Sequence, residues 1–544
     1  MKLLHRSVAA VLVGLLGCGP IYGAETVQPK DAIRHVVVIF QENVSFDHYF
    51  ATYPYALNPP GDPKFTALPG TPRVEGLTGQ LLTQNPNFLN EQNGLGKANP
   101  FRLRRDQAAT ADQDHNYPDE QAAFDNGKMD LFPASVGTAD SAAVATATGA
   151  AAIASTKGLT MGYYDGNTVT AFWNYAQHYA LNDHSFGSTF GPSTPGALNL
   201  VSGQTNGIDN SNSVNPGSAE VADGNGGFTD IGDADPTGDF CSSTTQSLRM
   251  TGKNVGDLLN AKGITWGWFE GGFDLTVQNP NGTTGCSRST VSAITGTEAD
   301  YSAHHQPFQY YVSTANPNHV RPTSPAVVGT ANDGGANHQY DIHDFTDALK
   351  AGNLPAVSFL KAQRYQDAHA GNSDPIDEGQ FIASIVNSLE QSTFWSSTAI
   401  ILAYDDSDGW YDHLSNLVNG STSTADKITS AGVCISATAA AAALPGVTGT
   451  AAAQGRCGYG PRLPLMVISP WAKKNYIDST VTDQSSVLKF IEDTFLASQR
   501  IGGGSFDSIA GSLNNMFDFS NGAVEPNPNV VVLNVSTGVV TSGN

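Results

Sequence analysis

The sequence predicts an α/β fold, with a central and mostly parallel β-sheet flanked by helices. Three short apolar runs, at residues 33–40, 398–404 and 463–469, have the length and continuity of buried parallel strands. Apolar residues recur at helical spacing in residues 381–389 and 487–495. Because strands that alternate with helices favour parallel pairing, these runs predict one sheet with helical connections.

Loop-rich segments separate the predicted strands and helices. Residues 203–245 are rich in Gly, Asn, Asp and Ser, and residues 416–456 are rich in Ala, Ser, Thr and Gly. We expect one domain over residues 25–544, with insertions at about 203–300 and 416–456, because the candidate catalytic elements come from both ends of the chain. A further strand is expected within residues 530–540.

Residues 1–24 have the composition of a secretory signal. Lys2 and Arg6 precede an apolar run at residues 8–16, and Ala24 fits a cleavage site. The alternative is a lipoprotein signal, with Cys18 as the lipid-anchored residue. Both predict a secreted or periplasmic protein. No later stretch reaches about 18 uncharged apolar residues, so we expect no stable membrane span after signal removal.

The net charge limits the classes of partner that the protein can bind. The chain has 544 residues, with 27 Lys and Arg against 50 Asp and Glu, which gives a formal net charge of −23. This excess argues against nucleic acid as a partner, because neutralising a phosphate backbone needs Lys and Arg. A small phosphorylated substrate needs only one local positive site and stays compatible with the charge.

Four cysteines are left after signal removal: Cys241, Cys286, Cys434 and Cys457. An even number in an exported chain favours disulfides, and four cysteines allow three pairings. We expect pairing between sequence neighbours, 241 with 286 and 434 with 457, with free buried thiols as the alternative. The long and irregular spacings do not favour a zinc cluster.

Polar residues follow two of the predicted strands. Glu42 and Asn43 come directly after the first, and Asp405 and Asp406 come directly after the second. Because ligands bind outside the carboxyl ends of parallel strands, these side chains could meet in one crevice. Their oxygen ligands suit one hard divalent metal ion of unidentified type, and ordinary turn and cap residues are the alternative.

Ser193, in the segment GPSTPG at 191–196, is the best candidate for a nucleophile. Thr194 is the expected N-cap and Pro195 the expected first residue of a helix, so that Ser193 lies beside a helix N-terminus. The partial positive charge there favours an alkoxide and a phosphoryl group. The alternatives are a capping turn without catalysis, or Thr194 or Ser188 as the nucleophile.

Histidines are few but lie in polar clusters. The candidates are His115, His304, His305, His369 and His413. Converging imidazoles could bind a phosphate and protonate a leaving oxygen, and they do so best below their usual pKa of about 6.5. Turnover on the acid side of neutral would follow.

The segment QENVSFDHYF at residues 41–50 resembles the opening motif of the bacterial phosphoesterase family, which contains phospholipases C and acid phosphatases. Further blocks agree with the family in the same order, and together they run from about residue 33 to 496. These blocks are residues 112–115, 126–130, 191–193, 365–369, 404–413 and 460–471.

The resemblance implies an alkaline-phosphatase-like core and a role for each matching residue. Ser193 matches the family's nucleophile, which becomes transiently phosphorylated. His115 and His369 match positions that face the substrate phosphate, and we extend this substrate-binding role to His304 and His305. The residues that match the metal site, beside Ser193, are Glu42, Asn43, Asp405 and Asp406.

Two departures favour the acid phosphatase branch. The phospholipase members usually carry Thr and Asn where this chain has Ser193 and Gly196, and they often have extra C-terminal β domains for which this chain has no room. The sequence therefore predicts an exported acid phosphatase that hydrolyses small phosphomonoesters through a phosphoserine.

Three alternatives stay open. A phospholipase C acting on phospholipid head groups would need an apolar approach, which Tyr163–Tyr164 and Tyr310–Tyr311 could supply unless they are core aromatics. A sulfatase is disfavoured because no Cys-x-Pro-x-Arg motif is present. An exported binding protein with a structural cation is the third.

Overall fold

The computed structural model describes residues 29–137, 156–222, 227–415, 459–503, 505–520 and 529–543. Its main feature is a sheet of eight strands. In chain order these are β1 His35–Gln41, β2 Ala180–Asn182, β3 Trp266–Glu270, β4 Gln339–Asp341, β5 Val357–Lys361, β6 Thr398–Tyr404, β7 Leu465–Ile468 and β8 Tyr476–Asp478. Their order across the sheet is β4-β3-β5-β1-β6-β7-β2-β8.

Twelve α-helices surround this sheet in the described part of the chain. They are α1 Pro29–Ala32, α2 Phe46–Phe50, α3 Gln80–Thr83, α4 Pro86–Leu89, α5 Tyr117–Phe124, α6 Phe132–Ser135, α7 Thr170–His178, α8 Ser193–Ser202, α9 Val255–Lys262, α10 Ile342–Lys350, α11 Pro375–Glu390 and α12 Gln484–Phe495. The predicted α/β class is confirmed, and α11 and α12 lie where the helical spacing of apolar residues predicts them.

β1 lies at the centre of the sheet, between β5 and β6. It pairs in parallel with both, and its last residue, Gln41, lies opposite Tyr404 at the end of β6. The run Val36–Phe40 is 0% exposed. A parallel strand covered on both faces has no polar side to present, which explains its continuous apolar sequence.

The third predicted strand differs in direction. β7 pairs antiparallel with both β6 and β2, whereas the other neighbouring pairs of the sheet are parallel. A continuous apolar run encodes burial on both faces but not the direction of the strand, so the prediction of a parallel strand here was wrong.

The remaining described strands form short two-stranded sheets. They pair Phe101–Arg102 with Gly162–Tyr163, Ser185–Phe186 with Thr482–Asp483, Glu220–Ala222 with Phe228–Asp230, Asp235–Pro236 with Ser247–Leu248, Ser289–Ser292 with Gly296–Ala299, and Val531–Leu533 with Val540–Gly543. The last pair replaces the single strand expected within residues 530–540, because the Asn534 N–H donates to the Val539 carbonyl and turns the chain back.

Cys241 and Cys286 form a disulfide, as the pairing of sequence neighbours predicts, with their Cα atoms 5.4 Å apart. The other predicted pair, 434 with 457, lies outside the described residues, as do the predicted signal at 1–24 with Cys18 and the predicted insertion at 416–456. In the described ranges, no helix has both the length and the apolar character needed to cross a bilayer.

Candidate active site at the carboxyl ends of the central strands

The two polar strand ends meet. Because β1 and β6 are neighbours in parallel register, Glu42 and Asn43 lie beside Asp405 and Asp406. The Asn43 N–H donates to Asp405 Oδ1 at 3.0 Å. All four residues are buried, at 0–4% exposure. Asn43 has a φ of 43°, in the left-handed region that asparagine tolerates better than most residues.

Ser193 reaches the same point from α8. The helix begins at Ser193, so the expectation that Thr194 caps it and that Pro195 is its first residue was wrong. The Thr194 N–H donates to Asp233 Oδ1 at 2.9 Å, so a carboxylate from another loop does the work of the cap. Ser193 Oγ lies 2.8 Å from Glu42 Oε2, 3.3 Å from Asp406 Oδ2 and 3.4 Å from Asn43 Oδ1.

Gly196 allows this close approach of α8 to the strand end. A Cβ atom at Gly196 would lie 2.2 Å from the Asp405 carbonyl oxygen, far inside contact distance. The glycine that departs from the phospholipase motif therefore has a packing reason in this chain. Neither of the other nucleophile candidates makes a side-chain hydrogen bond to these residues among the described residues: Thr194 Oγ1 lies 3.3 Å from the Tyr310 hydroxyl, and the buried Ser188 Oγ has no hydrogen-bond partner.

We call Ser193, Glu42, Asn43, Asp405 and Asp406 the serine centre. Its oxygens crowd together, and the Asn43 side-chain oxygen faces only acceptors. If that amide were turned over, its nitrogen would donate to Glu42 Oε2 at 2.8 Å, Asp406 Oδ2 at 3.1 Å and Asp405 Oδ1 at 3.2 Å. A cation among these oxygens would instead satisfy the amide as it stands. The donor set, all oxygen, fits a hard divalent ion.

Lys361, the last residue of β5, is the buried cation beside this centre. Its Nζ bonds Glu42 Oε1 and lies 3.5 Å from Asp405 Oδ2. Burial opposes the ammonium form, but these carboxylates raise the pKa of Lys361. Burial also opposes ionisation of Glu42, yet His305 and Lys361 hold its pKa well below the usual range. Burial raises the pKa values of Asp405 and Asp406.

His115 and His369 lie on one side of the serine centre. Their ring centroids are 5.8 Å apart, and His369 Nε2 lies 3.1 Å from the Asn43 amide. His115 Nδ1 is 3.4 Å from Asp408 Oδ1, and these two histidines with Asp408 bring ligand atoms within 4.8 Å of one another. Burial opposes protonation of both rings; carboxylates led by Asp112 raise the pKa of His115, whereas the pKa of His369 is lowered.

The other predicted histidines separate into two positions. His305 Nδ1 lies 3.4 Å from Glu42 Oε1, so His305 contacts the centre directly. His304 packs edge-on against His305 at 4.5 Å and lies 3.6 Å from Asp235 Oδ1, one step further out. The structure thus gathers His115, His305 and His369 around the centre.

His413 belongs to a different cluster, formed by Asp47, Asp412, His413 and Arg462, which we call the arginine cluster. His413 Nδ1 lies 2.6 Å from Asp47 Oδ2. Arg462 Nε lies 3.1 Å from both Asp412 oxygens, and its Nη2 lies 3.0 Å from Asp47 Oδ1. Arg462 is 0% exposed. His413 is thereby removed from the set of candidate phosphate-binding histidines.

Sequence reasoning missed Glu120 of α5. Its Oε2 accepts from the Gly191 N–H at 2.8 Å, and its Oε1 accepts from Ser407 Oγ at 2.6 Å. One carboxylate therefore ties the loop before Ser193 to the loop that carries Asp406. Gly191 has a φ of 106°, which favours glycine. No motif marks Glu120, but Lys361 is signalled in the sequence as a charged residue ending the apolar run Val-Ser-Phe-Leu.

An acidic cleft of about 290 Å³ opens beside His115. Its lining residues are Asp112, Gln113, Asp114, His115, Asn116, Pro192 and Asp233. The predicted aromatic approach does not line this cleft. Tyr164, Tyr310 and Tyr311 are core residues, at 1–3% exposure. The described walls of the cleft are polar and carry three carboxylates.

Comparisons with known proteins agree on the chemistry. A sequence model of the Phosphoesterase family matches residues 33–497. A non-hemolytic phospholipase C from Pseudomonas aeruginosa is 24% identical over 522 residues, covering 94% of this chain and 60% of that protein. Another, from Burkholderia pseudomallei, is 24% identical over 484 residues, covering 85% of this chain and 55% of that protein.

Phospholipase C A from Mycobacterium tuberculosis is 22% identical over 528 residues, covering 96% of this chain and 83% of that protein. A solved structure from work on glycosaminoglycan metabolism in Bacteroides thetaiotaomicron aligns over 69% of this chain and 75% of that chain. Its identity is 10% and its TM-score is 0.28, which is too low to inform the fold. This chain spans about 60% of the length of the first relative. Since the family match extends over most of the sequence, the chain belongs to the Phosphoesterase family.

Proposed function

We propose that Ser193 is the nucleophile of a two-step phosphoester hydrolysis, and that phospholipid diesters, cut in the manner of a phospholipase C, are the first substrate class. The observation that carries the mechanism is the position of Ser193 Oγ, 2.8 Å from Glu42 Oε2 among oxygens that converge from β1 and β6. The phospholipase C relatives support the substrate class.

A divalent ion is part of the proposal. Glu42, Asn43, Asp405 and Asp406 would hold it beside Ser193, in keeping with the inward-facing Asn43 oxygen. When bound, such an ion lowers the pKa of a serine hydroxyl and neutralises charge on a phosphate oxygen. Burial serves this purpose as well, because charges act more strongly on a phosphate where water is excluded.

The chain's own residues carry the bond changes. The Ser193 hydroxyl loses its proton to solvent and Ser193 Oγ attacks phosphorus in line with the leaving group. The P–O bond to the alcohol breaks, and a protonated histidine gives its proton to the leaving oxygen. We assign this proton to His369 or His115, because both rings lie at the Asn43 side of the centre. Water then attacks phosphorus and gives a proton to the same histidine. The bond to Ser193 Oγ breaks, the serine oxygen takes back a proton from solvent, and the product is the phosphorylated head group from a diester or phosphate from a monoester.

The acidic cleft supports a substrate with a positively charged head group. Asp112, Asp114 and Asp233 line it next to His115, so an ammonium group bonded through a short linker to the phosphate would meet opposite charge there. His304 and His305 are assigned to substrate binding on the far side, where His305 contacts Glu42.

Phosphomonoesterase activity is the second candidate function. Of the four tyrosines expected to form an apolar approach for acyl chains, Tyr164, Tyr310 and Tyr311 are buried and only Tyr163 is half-buried, which favours a small soluble ester. The two candidates share the nucleophile and the metal site, so they differ only in what the cleft accepts.

One assay series tests both candidates. The purified chain is given p-nitrophenyl phosphate, p-nitrophenyl phosphorylcholine and phosphatidylcholine vesicles, before and after metal removal with a chelator. We expect turnover of the two choline esters that is lost on chelation and restored by a divalent ion. Turnover of p-nitrophenyl phosphate alone would establish the monoesterase instead.

Ser193→Ala is the matched control for every substrate. Loss of covalent catalysis costs orders of magnitude, so the variant should retain less than about a tenth of the turnover while it folds normally. A folded Ser193→Ala protein with more activity than this would contradict the proposed nucleophile.

Export is proposed on sequence grounds alone, since residues 1–24 lie outside the described ranges. Fractionation of cells that express the full chain, followed by determination of the mature N-terminus, tests it. An N-terminus at or near Glu25, directly after Ala24, is expected outside the cytoplasm, and a lipid-modified Cys18 would support the anchored alternative. An intact chain in the cytoplasm would contradict export.

A further inference from the structure

Lys361 is buried where a charge is costly. It ends β5 and is 1% exposed, after four residues, Val357–Leu360, that are fully buried. Its Nζ contacts Glu42 Oε1 and lies 3.5 Å from Asp405 Oδ2. An ammonium taken out of water is tolerated only when it is paired, so this position has a specific reason.

Lys361 contacts one oxygen of each of two carboxylates, Glu42 and Asp405, and leaves the other oxygen of each free for different contacts. Glu42 turns Oε1 to Lys361 and Oε2 to Ser193 Oγ, 2.8 Å away. Asp405 turns Oδ2 to Lys361, while its Oδ1 accepts from the N–H groups of Asn43 and Asp406 at 3.0 and 2.7 Å. The lysine thereby fixes both carboxylates so that each presents one oxygen to the serine centre.

We propose that Lys361 is the fixed second cation of the serine centre, which limits the centre to one divalent ion and fixes the orientation of Glu42 and Asp405. This inference rests on the proposed metal site beside Ser193. Lys361 acts as a positioning and charge-balancing residue, since it contacts the carboxylates and not the nucleophile.

Charge explains why one ion is enough. Glu42, Asp405 and Asp406 together carry three negative charges when ionised, which one divalent ion and one ammonium balance. A second divalent ion on this side would meet the ammonium at short range and be repelled. Without the lysine, one divalent ion would leave one of these negative charges unbalanced.

Metal binding tests the proposal by a readout other than activity. Metal-stripped wild type, Lys361→Met and the charge-conserving control Lys361→Arg are titrated with Mn²⁺ by calorimetry, and turnover is measured separately. We expect one ion in the wild type and at least about tenfold tighter binding in Lys361→Met, because the repulsion between ammonium and metal is gone. Turnover should fall in the same variant, and Lys361→Arg should bind like the wild type.

Opposite changes in affinity and turnover separate this role from a structural one, which would weaken both. A folded Lys361→Met protein with unchanged or weaker Mn²⁺ binding overturns the proposal. If Lys361→Met does not fold, Glu42→Gln is compared with Glu42→Gln/Lys361→Met, in which no unpaired Glu42 carboxylate is created, and tighter binding by the double variant is again required.

Failure of the proposed function has a different signature. A wild type that binds no Mn²⁺, or that keeps full turnover after chelation, removes the metal site itself. A wild type that binds one ion, with no tightening in the lysine variant, removes only the role of Lys361.

Discussion

The serine centre and the arginine cluster both include residues from the segments that follow β1 and β6. They differ in how their buried charges are paired. Both take residues from 42–48, after β1, and from 405–413, after β6. In the arginine cluster, two carboxylates meet the guanidinium of Arg462 and the ring of His413. In the serine centre, three carboxylates meet with Lys361 on their outer side and crowded oxygens within.

This difference indicates that the arginine cluster stabilises the fold, whereas we propose that the serine centre is catalytic. In the arginine cluster, the carboxylates are paired with basic side chains of the same chain, and this pairing stabilises the relative position of the two segments. Charge that faces inward costs folding free energy, and in the proposed mechanism it is what would bind a cation and a phosphoryl group. We make four predictions about these two clusters and the residues around them, from the largest expected effect to the smallest.

Arg462→Met should cost about 3–5 kcal/mol of unfolding free energy, because it leaves Asp47 and Asp412 buried without their cation. Urea unfolding of the metal-saturated protein measures this loss. Arg462→Lys, which keeps the charge but not the paired N–H groups, should fall between Met and wild type. An unchanged unfolding midpoint in Arg462→Met would show that the cluster is not a support.

Asp406→Asn should lower turnover on the order of 1,000-fold, because it removes a carboxylate that we propose holds the metal, 3.3 Å from Ser193 Oγ. In the metal-free protein it should leave stability unchanged or higher, since burial already disfavours the ionised form of Asp406 and raises its pKa. Asp412→Asn is the matched substitution in the arginine cluster and should show the reverse pattern. Destabilisation of the metal-free protein by Asp406→Asn would contradict the expected difference between the two clusters.

Glu120→Ala should lower turnover about 10- to 100-fold, because it frees the loops of Ser193 and Asp406 from each other. Glu120→Gln can still accept from the Gly191 N–H and donate to Ser407 Oγ, so it should keep most of the activity. Steady-state kinetics on all three proteins measures this. Equal losses in Ala and Gln would mean that charge, and not the bridge, is what Glu120 supplies.

His48 should make the fold acid-sensitive. Burial lowers the pKa of His48 to about 3, against an opposing bond from its Nδ1 to the Gly162 carbonyl. The unfolded chain takes up this proton near pH 6.5 and the folded chain does not. The stabilisation is therefore complete above that pH and is lost as the pH falls toward 3, by about 2 kcal/mol between pH 7 and 5.

His48→Phe tests whether His48 causes the loss of stability at low pH. The ring of His48 stacks on Trp410 at 3.9 Å, and phenylalanine can keep that stacking without a titrating group. Urea unfolding at pH 7 and pH 5 should show a smaller loss in the variant than in the wild type. Equal losses would place the acid sensitivity elsewhere.

Sequence patterns predict this site where the information is local. An apolar run that ends in Glu42 or Asp405 reveals both a strand and the polar end of that strand. Ser193 is marked by its glycine- and proline-rich turn. The direction of β7, the start of α8 at Ser193 and the bridge made by Glu120 depend on pairing between distant segments, which no local spacing encodes.

The same limit explains the histidines. His115, His369 and His413 look alike in the sequence, each among aspartates, but only the first two reach the serine centre. His413 is taken by Asp47, whose contact depends on the packing of β1 against β6. Arg462, 49 residues beyond His413 along the chain, completes that cluster.

The most direct test of Ser193 as the nucleophile is to trap the phosphorylated enzyme. The metal-loaded chain is mixed with p-nitrophenyl phosphorylcholine and with p-nitrophenyl phosphate, quenched in acid within one turnover, digested and analysed by mass spectrometry. We expect a phosphate-derived group on the peptide that carries Ser193, and none in Ser193→Ala. Turnover of either ester with Ser193 unmodified at every quench time, or in a folded Ser193→Ala protein, would contradict it.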